Sequence, residues 1–246
     1  MSIITTDTVY VTLPKNYTNA LTDYYLSIQN KDNLIYDIEA NQKHTGLEID
    51  SMGTFIKAFL ASMQISIAES KFALGQYDEA LIEINKGIEM APYMKEIGKE
   101  NYYNVRGNVF IALGKFQQAI NDFDRCINLN SSFSVAYVNR AIAKINLTNR
   151  VSVKSYSMQG GSNNGVFNAN WTFPLKVSVK RSDVNIVSAL NDCNKAIEIE
   201  SNLGYSYYIR GQVKKMLMDD DYCYDLIKSK EIGYPVEEEL LKDCVR

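Results

Sequence analysis

The stretch Glu100–Ser131, ENYYNVRGNVFIALGKFQQAINDFDRCINLNS, reads as two amphipathic helices folded at Leu113-Gly114-Lys115. Apolar and small residues recur at helical spacing in each half, and a glycine marks the break. The same order precedes it. GTFIKAFLASMQISIAESKFAL (Gly53–Leu74) is followed by Gly75-Gln76-Tyr77 and then by DEALIEINKGIEM (Asp78–Met90), which stops at Ala91-Pro92. The turn glycines Gly75 and Gly114 lie 39 residues apart. Small residues occupy matched places: Ala68 with Gly107, Ala80 with Ala119, Gly87 with Cys126. Two helices approach closely only where small side chains sit at the crossing. The chain is therefore predicted to be a stack of helical hairpins.

Downstream, SVAYVNRAIAKINL (Ser134–Leu147) begins a third unit with Ala141 in the small position. Its second helix appears only at NIVSALNDCNKAIEIE (Asn185–Glu200), after about 36 inserted residues. GYSYYIRGQVKKML (Gly204–Leu217) and YCYDLIKSKEIG (Tyr222–Gly233) make a fourth unit whose turn is one residue short. PVEEELLKDCV (Pro235–Val245) is predicted to be a capping helix with proline in its first turn. Arg106, Arg140 and Arg210 recur in the first helices, and Asp122, Asp192 and Asp225 in the second. They are expected to pair within each unit and set helix registry.

The insertion, Arg150–Arg181, alternates with period two, carries the turn signal GGSNNG and repeats VSVK at both ends. Pairing Val151 with Val179 and Val153 with Val177 puts four valines on one face and returns the chain to its exit. A β-hairpin or three-stranded flap is expected. Its net charge is +5, leaving −8 on the remainder, and it interleaves Lys154 and Lys176 with Tyr156, Phe167 and Trp171. Such a mixture suits docking of the aromatics on the helices. It also suits contact with a protein partner or, less readily, an anionic polymer.

The N-terminal part, residues 1–50, holds a short alternating run, Thr8–Leu13, and a helical stretch, Asn16–Asn30, resembling a capping half-repeat. MSIITTDTVYVTLPKNY has neither the basic nor the apolar region of a secretory signal. No apolar run nears the roughly 20 residues that span a bilayer. Cytoplasmic residence is the expectation, with the periplasm or envelope the alternative if a signal has been removed. Four cysteines without a CxxC pair, beside a single His44, argue against zinc. Reduced thiols are the default. If the chain is exported, Cys223 and Cys244 are the pair to test as a disulfide.

Neither a phosphate-binding glycine loop nor a positioned nucleophile is visible, so no enzyme activity and no cofactor or metal are expected. The balance of 46% hydrophobic and 22% charged residues suits a folded protein, and the net charge of −3 gives no general attraction to nucleic acid.

The places of Gly107, Ala119, Cys126, Phe116 and Phe123, and of Ala68, Ala80, Gly87, Tyr77 and Ile84, resemble the tetratricopeptide repeat. The resemblance runs from about residue 51 to residue 246, apart from the insertion. It implies an all-α, right-handed superhelical solenoid of about four repeats plus a capping helix, here with a small β-hairpin insertion. It also implies a non-enzymatic scaffold whose first helices line a concave groove that holds a peptide segment or partner protein. Carried over, the groove residues are Asn101, Asn104, Asn108 and Ile111, then Val135, Val138, Asn139, Ile142 and Ile145, then Tyr205, Tyr208, Gln212 and Lys215.

Asn108 and Asn139 match the asparagines of the family's carboxylate clamp. Its basic places carry Asn104, Tyr205 and Ile209, so a clamp for a chain-terminal carboxylate is not expected. The alternatives are the basic, aromatic insertion as the main site for an anionic partner such as nucleic acid or a membrane surface, and homo-oligomeric assembly through a terminal repeat.

Overall fold

The computed structural model describes residues 49–90, 98–149, 155–158, 169–172 and 183–244. The chain divides into two compact units, Met1–Ile97 and Gly98–Arg246. In the first, α1 (Ile49–Ala73) packs against α2 (Tyr77–Met90). Ala68, Ala80 and Ile84 are fully buried, and Gly87 is buried on α2. Small residues thus stand where a close helix crossing demands them. Phe72 stacks on Tyr77 at 5.4 Å between ring centres. The readings of Thr8–Leu13, of Asn16–Asn30 and of the connection that begins at Pro92 lie outside the described residues.

The second unit contains α3 (Lys99–Ala112) and α4 (Phe116–Leu129), then α5 (Ser134–Asn149) and α6 (Val184–Ile199). After these come α7 (Gly204–Met216), α8 (Tyr222–Glu231), α9 (Glu238–Leu241) and a 3-10 turn (Lys242–Cys244). First and second helices pack in pairs, α3 with α4, α5 with α6 and α7 with α8. The second helices α4 and α6 also pack on the first helices that follow them, α5 and α7. The first helices adjoin one another in the order α3, α5, α7. Hairpin stacking of this kind buries a continuous core that no single hairpin could bury alone.

The sequence pattern explains the close contacts. A Cβ at Gly107 would lie 2.6 Å from the Phe123 ring, and one at Gly211 would lie 3.0 Å from Leu226. Glycine is required at Gly107 because the aromatic of the second helix rests on the backbone of the first. The turns share one closure. Gly75 and Gly114 adopt φ of 75° and 69°, and Met218 takes the same left-handed place with φ 54°. In each, the next residue's N–H reaches back to a carbonyl of the last helical turn: Gln76 to Lys71, Lys115 to Phe110, Asp219 to Lys214. That is the Schellman closure.

Three arginines pair with three aspartates as expected. Arg106 bonds Asp122 at 2.7 and 2.9 Å, Arg140 bonds Asp192 at 3.0 and 2.6 Å, and Arg210 bonds Asp225 at 2.9 and 2.6 Å. The partners are 16 residues apart in α3–α4 and 15 apart in α7–α8, so the fourth turn is one residue short. A further Arg140 nitrogen reaches Asp124 of the preceding hairpin at 2.6 Å, and Arg210 reaches Asn194 in the same way at 2.9 Å. These two guanidinium groups therefore each tie one hairpin and link it to its predecessor.

The insertion leaves and returns at a closed stem. Thr148 donates to Asp183 at 3.2 Å, and Asp183 caps α6 by accepting from the Asn185 and Ile186 amides. Lys144 spans the same two helices, reaching Ser188 at 2.8 Å and Asp192 at 2.7 Å. Of the insertion, only β1 (Ser155–Met158) and β2 (Ala169–Thr172) are described, paired antiparallel with Ser155 opposite Thr172 and Tyr156 opposite Trp171. Continued along the strand without a bulge, the valine pairing would put Ser155 opposite Leu175. The observed register differs by three residues, an odd shift that exchanges the two faces. The expected flap as a whole is not shown, since most of it lies outside the described residues.

Two further expectations change. Cys223 and Cys244 are joined as a disulfide, while Cys126 and Cys193 are buried thiols. The capping helix does not begin at Pro235. It begins at Glu238, because the chain before it is drawn onto α7 by Tyr234 and Glu237, with Glu237 extended ahead of the helix.

Candidate functional site

The face formed by α3, α5 and α7 carries the residues expected to line the groove. Spacings of three and four put Asn101, Asn104, Asn108 and Ile111 on one side of α3. The structure brings this set against α5: Asn139 donates to Asn104 Oδ1 at 3.1 Å, and both side chains are fully buried. Val138 and Ile142 of α5 are fully buried too, Ile111 nearly so, and Val135 and Ile145 are also in the core. Asn101 is half-buried. These side chains are therefore buried rather than exposed to solvent.

What distinguishes this face is its unsatisfied amides. Neither Asn108 Nδ2 nor Asn108 Oδ1 has a hydrogen-bond partner, although the residue is fully buried. The Oδ1 atoms of Asn101, Asn139 and Asn146 are likewise unpaired. Asn146 escaped the sequence reading. It is fully buried on α5, donates to the Ile142 carbonyl at 2.8 Å, and follows Asn139 and Ile142 at helical spacing, the signal that would have found it. Leaving a buried amide unpaired costs about 1–3 kcal/mol.

At the α7 end the face is occupied by the chain itself. Tyr208 donates its hydroxyl to the Glu237 carboxylate at 3.0 and 3.2 Å. Tyr234 stacks on both Tyr205 and Tyr208, with ring centres 5.5 and 5.2 Å apart. Gly204 permits this approach, since a Cβ there would lie 2.7 Å from Tyr234 Cβ. Tyr205, Tyr208 and Gln212 are consequently buried, at 3%, 2% and 5% exposure. Burial, and next the Glu237 carboxylate, push the Tyr208 phenol above its ordinary range. Lys215 lies over the Tyr222 ring and pairs with Asp243 at 3.3 Å. Tyr234 and Glu237 were missed as contributors, although Pro235 marked where that segment leaves the repeat pattern.

The Cys126 and Cys193 thiols are buried in the helix pairs. Burial, and secondarily Glu100, raise the Cys126 thiol to about 12, and burial raises Cys193 further. Of the insertion residues proposed for contact, Tyr156 and Trp171 face each other as backbone partners, whereas Lys154, Phe167 and Lys176 lie outside the described residues.

Comparison with known proteins agrees with this architecture. Residues 100–133 match the family model of the tetratricopeptide repeat. No curated protein sequence matches the chain. Among solved structures, TTC0263, a thermophilic tetratricopeptide protein of Thermus thermophilus, is similar with a TM-score of 0.53 and 14% identity. The match covers 70% of this chain and 74% of that one. YrrB, described as a tetratricopeptide protein with an unusual peptide-binding site, gives 0.50 and 13%, covering 93% and 97%. At such identities the likeness is one of fold.

Proposed function

We propose that this chain, whose residues 100–133 form a tetratricopeptide repeat, is a non-enzymatic scaffold that binds an extended polypeptide segment along the face of α3 and α5. The observation that supports this most is Asn108. Its carboxamide is fully buried, and both its donor and its acceptor are unpaired. A peptide backbone offers one N–H and one C=O per residue, the complement that a side-chain amide accepts in full. Asn101, Asn139 and Asn146 add three unpaired acceptors on the same helices. The groove positions of α3 and α5 carry no cation, so the ligand is recognised through amide bonds rather than by charge.

The test is a peptide selection on the whole chain, followed by affinity measurements on Asn108→Leu and Asn139→Leu. Loss of affinity in these variants, with folding kept, supports the reading. Unchanged affinity removes it.

A further inference from the structure

We propose that the Cys223–Cys244 disulfide is a redox latch that fixes the segment Gly233–Cys244 over the α7 end of the first-helix face, and that its reduction uncovers Tyr205 and Tyr208. The inference rests on reading that face as the polypeptide seat, and it adds regulation to it.

The segment touches the face at three places and is fastened covalently at a fourth. Tyr234 stacks on Tyr205 and Tyr208, Glu237 takes the Tyr208 hydroxyl, and Asp243 pairs with Lys215. Among the described residues, Glu237 is followed by the four residues of α9 and a 3-10 turn of three. A helix this short does not persist by itself. Leu240 and Leu241 bury their side chains, but the ion pairs Lys215–Asp243 and Lys230–Glu238 are exposed and hold little. The disulfide runs from the start of α8 to the far end of the segment, 21 residues on, with Cα atoms 5.3 Å apart. A closure of that length disfavours opening on the order of 100-fold.

Both half-cystines are partly exposed, whereas the other two cysteines are buried thiols. A thiol reductant therefore has one target. Its thiolate attacks one sulfur, the S–S bond breaks, and the other sulfur departs as a thiolate and takes up a proton. A second reductant thiolate resolves the mixed disulfide. In sum, two reductant thiols give two electrons and two protons, yielding Cys223 and Cys244 thiols and one reductant disulfide. With the tether gone, the segment is held only by noncovalent contacts: the aromatic and carboxylate contacts, the burial of Leu240 and Leu241, and the two exposed ion pairs.

Hydrogen exchange and tetranitromethane labelling on the full chain test the latch, with and without dithiothreitol, alongside the Cys223→Ser/Cys244→Ser double variant. On reduction the amides of residues 238–244 should exchange at least about tenfold faster, while α3, α4 and α5 keep their protection. Nitration of Tyr205 and Tyr208 should rise with it, while Tyr224, already 63% exposed, serves as the unchanged reference. The double variant should behave as reduced protein without reductant. Exchange within about twofold in the two states overturns the latch. So does loss of protection throughout α3–α5, which would make the bond a staple of the whole unit, and so does free Cys223 and Cys244 in air-oxidised protein. Neither readout involves a ligand, so a failure here is distinct from a failure of the Asn108 and Asn139 variants.

Discussion

Arg140 and Asp192 are joined by two hydrogen bonds, 3.0 and 2.6 Å, although 52 residues separate them in the chain. The same side-on pair forms across 16 residues between Arg106 and Asp122. The hairpin geometry is thus indifferent to what is inserted in its turn. Asp192 is 7% exposed and also receives Lys144, so its removal takes the carboxylate from Lys144 and leaves Arg140 with Asp124 alone. Asp192→Ala should cost about 3–5 kcal/mol in urea unfolding, the usual result of orphaning a buried charge. Asp124→Ala, at a carboxylate 47% exposed, should cost less than about 1 kcal/mol. Equal costs at the two aspartates would contradict the registry role.

Gly107 is the tightest crossing. The Phe123 ring occupies the place a methyl would need, and that ring is fully buried. Gly107→Ala should therefore destabilise by about 1–3 kcal/mol despite alanine's better helix propensity. Adding Phe123→Leu should recover part of the loss. Thermal unfolding of the two variants checks both signs.

Met218 holds the left-handed turn position that glycine fills at Gly75 and Gly114. Its side chain is 73% exposed, so little packing opposes the change. Met218→Gly should stabilise the chain by about 0.5–1 kcal/mol through relief of backbone strain. A loss of stability would show that the turn is not strained.

Glu69 gives a pH signature to the first unit. Burial raises its carboxyl from 4.5 to about 7. The folded state then holds the proton more tightly than the unfolded chain. Its contribution is fully present below pH 4.5 and is lost as pH rises to about 7. Glu69 is partly exposed, so the loss between about pH 5 and about pH 8 should be on the order of 1–2 kcal/mol rather than the full linkage value. Glu69→Gln should remove that slope in urea unfolding. An unaltered slope would contradict it.

Helical pairing was legible in the sequence because each hairpin repeats the same local demands. Arg106, Arg140 and Arg210 could be matched to their aspartates from the repeat alone, as could Gly107 to its crossing. The face of Asn104, Asn108 and Ile142 was named from the resemblance to the repeat family. What lies on that face was not. Periodicity says which way a side chain points, and it does not say that Tyr234 and Glu237 fold back over Tyr205 and Tyr208. The valine pairing of the two VSVK copies lies outside the described residues, and the observed ladder sets Ser155 opposite Thr172.

Asn108 decides the central claim. Leucine is nearly isosteric with asparagine and removes both unpaired amide atoms at once. If Asn108 exists for a polypeptide ligand, Asn108→Leu should move two quantities in opposite directions. Unfolding stability should rise by about 1 kcal/mol, because a buried unsatisfied amide is gone. Titration calorimetry of a peptide selected on the whole chain should show affinity lower by at least about tenfold. Affinity unchanged from the parent chain, or a selection that enriches no peptide over bare support, would contradict the account.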